Sequence, residues 1–295
     1  MSDRHAMELI SPYDVNSAQG LYPFDLFERK CLAQGDSWFS LGALPPRKTT
    51  NLLREMRLRR SVVTVNCARP GKVLSHMADT STEPLFLSLL TGQSAWQWDA
   101  ILLSGFGNDA IDATGVPPGE APQVRLLATA AERGGTQVAV DEYFSVPGWQ
   151  TFEQHMAAVF NQLLDRRDAG VNRDTPLVLH NYHELMPTMA GAGFGFGPWI
   201  EPSLRAFAVP TADHAPLAAA LIARIDDLLR RLVASRLAGG TGGPILVVDS
   251  RSVAMDLAAP DATGPSGDFI NEIHPTPGGY ARLAVAWAQV LDQLL

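Results

Sequence analysis

A serine placed directly after a buried strand is the first residue of this sequence whose position suggests chemistry. Ser37 belongs to Gly35-Asp36-Ser37 and follows the apolar run at residues 29–33. It would lie at the carboxyl end of that strand, on a tight turn that Gly35 accommodates, where a nucleophile can face a substrate crevice. The tripeptide alone is not specific, because serine is also a common residue at the start of a helix.

A glycine-rich turn follows another buried run and contains the second candidate residue. Asn108 belongs to Gly105-Phe106-Gly107-Asn108-Asp109, directly after residues 100–104. Its amide can donate to a developing oxyanion, and the glycines allow the backbone to come close. The same residues would also suit an Asx-capped turn from strand to helix. Gly71, five residues past a strand at 61–66, could offer a backbone N–H, although alone it is only a turn glycine.

The candidate general base is His274, which lies beyond the last predicted strand and just before the final helix. It belongs to Asn271-Glu272-Ile273-His274-Pro275-Thr276, and the following proline restricts its backbone. Histidine is the side chain most often used to take a proton from a nucleophile. A single histidine is more often structural, but here four candidate residues occur in order, each after a separate strand.

These four blocks resemble those of the SGNH (GDSL-type) hydrolases. Ser37, Gly71, Asn108 and His274 match the family's blocks in order, over residues 33 to 280. The resemblance implies a flavodoxin-like three-layer α/β/α fold with a five-stranded parallel sheet, and ester or thioester hydrolysis without a metal or organic cofactor. It also implies that Ser37 is the nucleophile, and that Ser37 N–H, Gly71 N–H and the Asn108 amide form the oxyanion hole.

A closer resemblance is to a bacterial subgroup of that family. Its first block reads Gly-Asp-Ser-Trp-Phe, as residues 35–39 do here, and its members tend to carry a Gly-Pro-Trp segment, as at residues 197–199. The subgroup's last block, Asn-Glu-Leu/Ile-His-Pro-Thr, is matched by residues 271–276. Together these matches favour a bacterial-type enzyme.

The chain departs from the family at the residue that supports the histidine. The family usually places an aspartate three residues before it, and this position is Asn271 here. An asparagine can orient an imidazole but cannot balance its positive charge. Asp268 and Glu272 are the nearby carboxylates. We expect Asp268 to replace the missing aspartate, because the intervening turn can bring it back to the ring, and the alternative is that Asn271 alone orients His274.

The elements that must position these residues follow an alternating pattern. Uniformly apolar runs predict five buried strands, which suits a parallel sheet covered on both faces, at residues 29–33, 61–66, 100–104, 176–181 and 244–249. Helical periodicity fills the gaps at residues 49–60, 149–167, 215–237 and 279–295. Strands alternating with helices of this length predict a doubly wound α/β fold.

One domain over residues 1–295 is the better prediction, because there is no internal repeat and no long polar linker. Residues 114–143 and 184–210 interrupt the alternation, and both could border the site as a lid or pocket wall or be plain connecting loops. The second segment contains Met186, Met189, Phe194, Phe196 and Trp199 among glycines, which predicts an adjustable wall for an acyl group.

Composition and motifs exclude several other classes of protein. The net charge of -8 argues against nucleic-acid binding, and no run of 18 apolar residues predicts a membrane span. The N-terminal residues do not form a secretory signal, which predicts a cytoplasmic protein. No Gly-x-Ser-x-Gly motif occurs, and His180-x-x-His183 has no accompanying cluster of metal ligands.

The expected function is hydrolysis of carboxylic esters through an acyl-enzyme, with no cofactor and no metal. A carbohydrate deacetylase using the same site is the second possibility. A non-catalytic binding module on the same fold is the third, which the missing aspartate favours. The substrate would be a small-molecule, lipid or sugar ester, and the sequence leaves the oligomeric state open.

Overall fold

The central feature of the fold is a sheet of six parallel strands. The structure, a computed structural model, describes residues 4–17, 20–40, 50–92, 95–135, 138–193, 195–240 and 242–295. The strands of the sheet are β1 (Glu8–Ile10), β2 (Arg29–Gly35), β3 (Val62–Asn66), β4 (Ala100–Ser104), β5 (Leu177–His180) and β6 (Ile245–Val248). Their order is β6-β5-β4-β2-β3-β1, and every pairing between neighbours is parallel.

The predicted fold class is confirmed, with one strand more than expected. Each of the five predicted strands is present, and the sixth, β1, pairs with β3 at the edge of the sheet. The sequence does not predict β1, because this strand has only three residues, of which Glu8 is exposed and Ile10 is buried. A short edge strand exposed on one side has no uniformly apolar run.

Helices connect the strands and cover the sheet. They are α1 (Ser37–Ser40), α2 (Leu52–Glu55), α3 (Leu74–Ala78), α4 (Pro84–Thr91), α5 (Gly107–Thr114), α6 (Val146–Asp168), α7 (Glu201–Ala206), α8 (Thr211–Ala238) and α9 (Pro277–Leu294). The predicted helices at 149–167, 215–237 and 279–295 correspond to α6, α8 and α9. Single turns of 3₁₀ helix occur at Phe24–Leu26, Val140–Tyr143 and Ser250–Ser252.

The predicted helix at residues 49–60 is wrong for most of its length. Residue 49 lies outside the described residues, and α2 ends at Glu55, because the following Met56 has extended backbone angles. Arg57–Leu58 is instead a short strand, antiparallel to His5–Ala6. Pairing with the N-terminal segment, which lies far away in sequence, overrides the helical periodicity of this stretch.

The helices form two groups, one on each face of the sheet. Helix α2 contacts α1 and α9, whereas α6 contacts α3, α4 and α8. The chain moves from β2 to β3 in one direction and from β4 through β5 to β6 in the other. Right-handed crossovers therefore place the two groups on opposite faces. No helix in the described part of the chain is both long and apolar enough to cross a membrane.

The strand order locates the functional end of the sheet. Strand β2 lies between β3 and β4. The chain runs from β2 to β3 on one side of β2, and it later crosses back to form β4, which pairs with the other side of β2. At such a reversal of strand order the connections diverge and leave a crevice beyond the carboxyl ends of the strands. Ser37 follows β2 there, and Asn108 follows β4.

Candidate active site

The turn that carries Ser37 is held by the carboxylate of Asp36. This buried side chain accepts hydrogen bonds from the backbone N–H of Trp38 at 2.9 Å, from Ser104 Oγ at 2.8 Å and from the Tyr182 hydroxyl. Gly35 is required for close packing, because a Cβ there would lie 2.8 Å from Cβ of Ser104 on the neighbouring strand. The turn from β2 into α1 is thus fixed on both sides of Ser37.

His274 lies directly against Ser37. Its Nε2 is 2.7 Å from Ser37 Oγ, although the two residues are 237 positions apart in sequence. A second contact joins their neighbours, since the indole N–H of Trp38 donates to the carbonyl of Ile273 at 3.2 Å. Burial lowers the pKa of His274 to about 4. The imidazole is therefore neutral at pH 7 and able to accept a proton.

Asn271 fixes the tautomer of this imidazole. Its Oδ1 accepts the backbone N–H of His274 at 2.9 Å and that of Ile273 at 3.2 Å, so the oxygen of the amide must face this turn. The same oxygen is 3.0 Å from His274 Nδ1. Because an amide oxygen can only accept, Nδ1 carries the proton and Nε2 has a free lone pair toward Ser37.

Asp268 does not contact His274 in the structure, and the expectation that it replaces the missing aspartate is corrected. Its carboxylate accepts the backbone N–H of Asp256 at 2.7 Å and pairs with Arg282 of α9. The backbone explains this placement, since Thr276 N–H donates to the carbonyl of Asp268 at 2.6 Å. The turn does return, but it brings Asp268 beside Thr276, two residues past His274.

Glu272, the other nearby carboxylate, has a different set of partners. Its oxygens accept four backbone N–H groups, from Thr188 at 3.3 Å, Ile200 at 2.8 Å, Glu201 at 2.8 Å and from Trp199. Burial raises its pKa, and these hydrogen bonds oppose that rise. Glu272 thus joins the loop of His274 to the segment at residues 188–201.

That segment also touches the imidazole itself. The ring of Trp199 lies edge to face with the ring of His274, with 5.4 Å between the centroids. Together with the hydrogen bonds of Glu272, this contact makes the segment a support for His274 as well as a wall of the site.

Hydrogen bonds join the start of α5, which contains Asn108, to the loop that contains Gly71. Asn108 Nδ2 donates to the carbonyl of Lys72 at 2.9 Å, and the carboxylate of Asp109 accepts the N–H of Leu74 at 3.0 and 3.1 Å. Gly71 has a φ of +74°, in the left-handed region that favours glycine, and a Cβ there would meet nothing within 4 Å. The requirement for glycine at this position is therefore conformational.

The start of the Gly71 loop also lies beside the Ser37 turn. The N–H of Arg69 donates to the carbonyl of Gly35 at 3.0 Å. The predicted oxyanion-hole residues thus lie at one end of the sheet, with Ser37 and Asn108 at the starts of α1 and α5 and Gly71 on the loop after β3. Their role as an oxyanion hole stays a prediction.

A mostly apolar cavity opens beside Ser37 and Asn108. Its walls come from α5, from the loops around Tyr182 and Ile273, and from α8. Leu185 and Ile200 represent the predicted wall segment at residues 184–210. Met189 and Phe196 do not line the cavity and are 47% and 63% exposed, and Phe194 lies outside the described residues. Met186 and Trp199 do not line the cavity either, so the adjustable wall predicted from the methionine and aromatic side chains of this segment is not present among its described residues.

Comparisons with known proteins find solved structures that are similar to this chain, at low sequence identity and with low TM-scores. No family model matches the chain. No curated protein matches it either.

Similar solved structures include phospholipase A1 from Streptomyces albidoflavus. The two sequences are 14% identical, the match covers 90% of this chain and 99% of that chain, and the TM-score is 0.44. Axe2, an acetylxylan esterase from Geobacillus stearothermophilus, has 13% identity, 89% and 93% coverage and a TM-score of 0.41. A family 3 carbohydrate esterase from Clostridium thermocellum has 12% identity, 90% and 96% coverage and a TM-score of 0.41.

Beneath the Ser37 turn lies a buried polar network that the sequence analysis did not identify. Ser104 Oγ, which donates to Asp36, is 3.0 Å from His180 Nε2, and His180 Nδ1 is 3.3 Å from Ser250 Oγ. Burial lowers the pKa of His180 to about 3 and raises that of Asp36 to about 6. Ser104 and His180 are the last residues of β4 and β5, and polar residues ending apolar runs are the signal that could have revealed this network.

The His180-x-x-His183 pair has separate surroundings for its two members. His180 faces the serines of the network, whereas the ring nitrogens of His183 lie 2.8 Å from the carbonyl of Glu184 and 3.0 Å from that of Val253. Within the described ranges, no three His, Cys, Asp or Glu side chains form a group that could hold a metal ion.

Proposed function

We propose that this protein is a serine hydrolase that cleaves carboxylic esters through an acyl-enzyme. The observation that carries the proposal is the 2.7 Å contact between His274 Nε2 and the Oγ of Ser37, which lines a mostly apolar cavity. A nucleophile and a base within hydrogen-bond reach, with the base oriented by a third group, are the signature of activated serine chemistry. The four matching sequence blocks support membership in the SGNH (GDSL-type) family.

The first half of the reaction forms the acyl-enzyme. His274 Nε2 takes the hydroxyl proton as Ser37 Oγ attacks the carbonyl carbon of the ester, and the carbonyl oxygen becomes an oxyanion. The Asn108 amide and the backbone N–H groups of Ser37 and Gly71 donate to that oxyanion. The intermediate then collapses, and His274 returns the proton to the departing alcohol.

The second half repeats these steps with water. His274 Nε2 takes a proton from water as its oxygen attacks the acyl carbon. Collapse of the second intermediate releases the carboxylic acid, and the proton returns to Ser37 Oγ. No atom outside the site and the two substrates is needed to balance this cycle.

Asn271 serves as the third member of the site in place of an aspartate. It holds Nδ1 as the donor, so that Nε2 is always the acceptor that the reaction requires. It adds no negative charge to stabilise the imidazolium that forms in each half of the reaction. We therefore expect the enzyme to be functional but slower than one with a carboxylate at this position.

We further infer that residues 1–295 form one domain whose segment at 184–210 is a pocket wall. Two contacts between distant parts of the chain support this inference. Arg29 Nε donates to the carbonyl of Leu295 at 2.7 Å, and Arg4 pairs with Asp292 at 2.8 Å.

The test is covalent labelling by a fluorophosphonate, whose phosphorus is attacked by an activated serine. Intact-mass measurement is expected to show one adduct on the wild-type protein, and peptide mapping is expected to place it on Ser37. Ser37→Ala and His274→Ala should not be labelled, whereas Ser252→Ala, a change at an exposed serine, should be labelled like the wild type. A folded wild-type protein that takes no label and hydrolyses no ester would instead be a binding module.

A further inference from the structure

Nine of the seventeen residues that line the cavity beside Ser37 have aliphatic side chains. It is narrow, and its space measures about 650 Å³ with its open mouth included. One wall is a face of α8 formed by Ala218, Leu221, Ile222 and Ile225. These residues recur at intervals of three and four, so they lie on one side of the helix and present a continuous apolar surface. Such a surface favours a ligand without polar groups along its length.

The position of the cavity relative to the reacting atoms distinguishes the two halves of an ester. The alcohol must leave beside His274, because Nε2 of this residue returns the proton to it. Ser37, Gly107 and Asn108 line the cavity, and on the His274 side it is lined by Ile273 but not by His274 itself. The cavity thus begins at the nucleophile and at the amide proposed to hold the oxyanion, and the acyl group, which becomes bonded to Ser37 Oγ, is the half of the ester that it can hold.

Two small side chains keep the cavity open. Ala110 of α5 and Ala218 of α8 both line it and are 2% and 1% exposed. Longer side chains at these two positions would fill the space that their methyl groups leave. An acetyl group, with only one carbon beyond the carbonyl, would leave most of this apolar surface without a partner.

We propose that the cavity binds a straight alkyl chain on the acyl side of the substrate, longer than acetyl, and that the small side chains of Ala110 and Ala218 make room for this chain. The proposal rests on the proposed esterase function and names its substrate class. Burying one methylene in apolar surroundings favours binding by about fourfold. We expect kcat/KM to rise by about that factor for each added acyl methylene until the cavity is full, and to fall beyond that length.

The first experiment compares two series of esters with the wild-type enzyme. In one series the acyl chain of a p-nitrophenyl ester grows from acetate to dodecanoate, and in the other the alcohol of an acetate ester grows over the same range. A rise confined to the acyl series supports the proposal. A flat acyl profile, an optimum at acetate, or a rise confined to the alcohol series overturns it while leaving the esterase function intact.

The second experiment shortens the cavity by Ala218→Phe and uses Ala234→Phe, an exposed position on the same helix, as the control. The quantity measured is the ratio of kcat/KM for the wild type's best acyl length to that for acetate. This ratio does not depend on how much of the variant is folded, because both substrates meet the same active sites. It should fall by at least about tenfold in Ala218→Phe, the loss of two methylenes, and stay unchanged in Ala234→Phe.

The two proposals can fail separately. Absence of both fluorophosphonate labelling and ester hydrolysis would overturn the proposed function. Normal labelling with an unchanged acyl-length ratio in Ala218→Phe would overturn only the acyl site. A crystal structure of the adduct with a dodecyl fluorophosphonate provides a check without any substitution, since the alkyl chain must lie between α5 and α8, and a chain directed elsewhere contradicts the proposal.

Discussion

Two buried histidines in this molecule each contact a serine, yet only one of these two pairs has the arrangement that the proposed reaction requires. His274 Nε2 is 2.7 Å from Ser37 Oγ, and His180 Nε2 is 3.0 Å from Ser104 Oγ. Burial lowers the pKa of both imidazoles, to about 4 and about 3. A close pair of histidine and serine with a neutral ring therefore does not by itself define an active site.

The partners of each pair decide which way the proton can move. Ser104 donates its hydroxyl proton to Asp36, so it must accept from His180, whose Nε2 carries the hydrogen. In His274 the hydrogen is on the other ring nitrogen. Nδ1–H donates a hydrogen bond to the amide oxygen of Asn271, and Nε2 is left to accept from Ser37. His180 is thus a donor that completes a structural network, and His274 is an acceptor that can activate a nucleophile.

Access to a substrate is the second difference. Ser37 is 8% exposed and lines the cavity, whereas Ser104 has no exposed surface and is surrounded by Asp36, His180 and Tyr182. The tautomer of the imidazole and the access of substrate to the serine, both set by neighbouring residues, therefore distinguish the proposed catalytic pair from the structural pair.

The largest expected effects come from removing the serine hydroxyl of each pair, with a loss of activity in one case and a loss of stability in the other. Ser37→Ala should lower kcat for a p-nitrophenyl ester by at least about 10⁴-fold, because no nucleophile remains, while the melting temperature changes little. Ser104→Ala should lower the free energy of unfolding by about 1–3 kcal/mol, because His180 loses its acceptor and Asp36 loses a donor, and should leave most of the activity. Steady-state kinetics and thermal denaturation check both; the reverse assignment of effects would show that His180 belongs to the active pair.

A smaller effect is expected from the oxyanion side of the active pair. Asn108→Ala should lower kcat by about 10²–10³-fold with little change in KM, because its amide acts on charge that exists only in the transition state. Asn108 also donates to Lys72, so thermal denaturation of the same variant shows how much of the loss is structural. An effect on KM alone would mean that Asn108 only binds substrate.

The smallest expected change in rate tests the uncharged partner of His274. Asn271→Asp keeps an oxygen for the same three contacts and adds a negative charge beside Nδ1. That charge should raise the pKa of His274 and increase kcat by about tenfold, because one pKa unit corresponds to about 1.4 kcal/mol.

The pH profile provides the independent readout for this variant. In the wild type, kcat/KM should rise with pH through about 4, where His274 loses its proton, and should be level near neutral pH. In Asn271→Asp this acidic limb should move to higher pH. Asn271→Ala, which removes the acceptor for Nδ1, is the matched control and should lower kcat. A limb that stays near 4 in Asn271→Asp would mean that residue 271 does not act on the ring.

The sequence predicts the strands and helices of the fold better than it predicts the residues that hold His274 and Ser37 in place. Uniformly apolar runs located every strand of the sheet except β1, which is too short and too exposed to produce such a run. The positions of Ser37 and Asn108 followed from the same pattern, because residues after parallel strands meet at one edge of the sheet. Their neighbours could not be obtained in this way.

The supporting residues depend on side-chain direction, which local sequence does not specify. Asp268 and Asn271 are both near His274 in sequence, and a carboxylate is the better chemical partner for an imidazolium. The backbone pairing of Asp268 with Thr276 directs that carboxylate to Asp256 and Arg282. Similarly, the role of Glu272 depends on a segment more than seventy residues away.

The four hydrogen bonds accepted by Glu272 have a consequence for engineering the chain. One carboxylate holds both the loop of His274 and the wall that includes Ile200, so redesign of that wall would disturb the base as well as the substrate specificity. The wall formed by α8 has no hydrogen bond to Glu272 among those of the described residues. Directed evolution of chain-length preference should therefore accumulate its substitutions on α8, where a change of shape leaves the proton-transfer machinery in place.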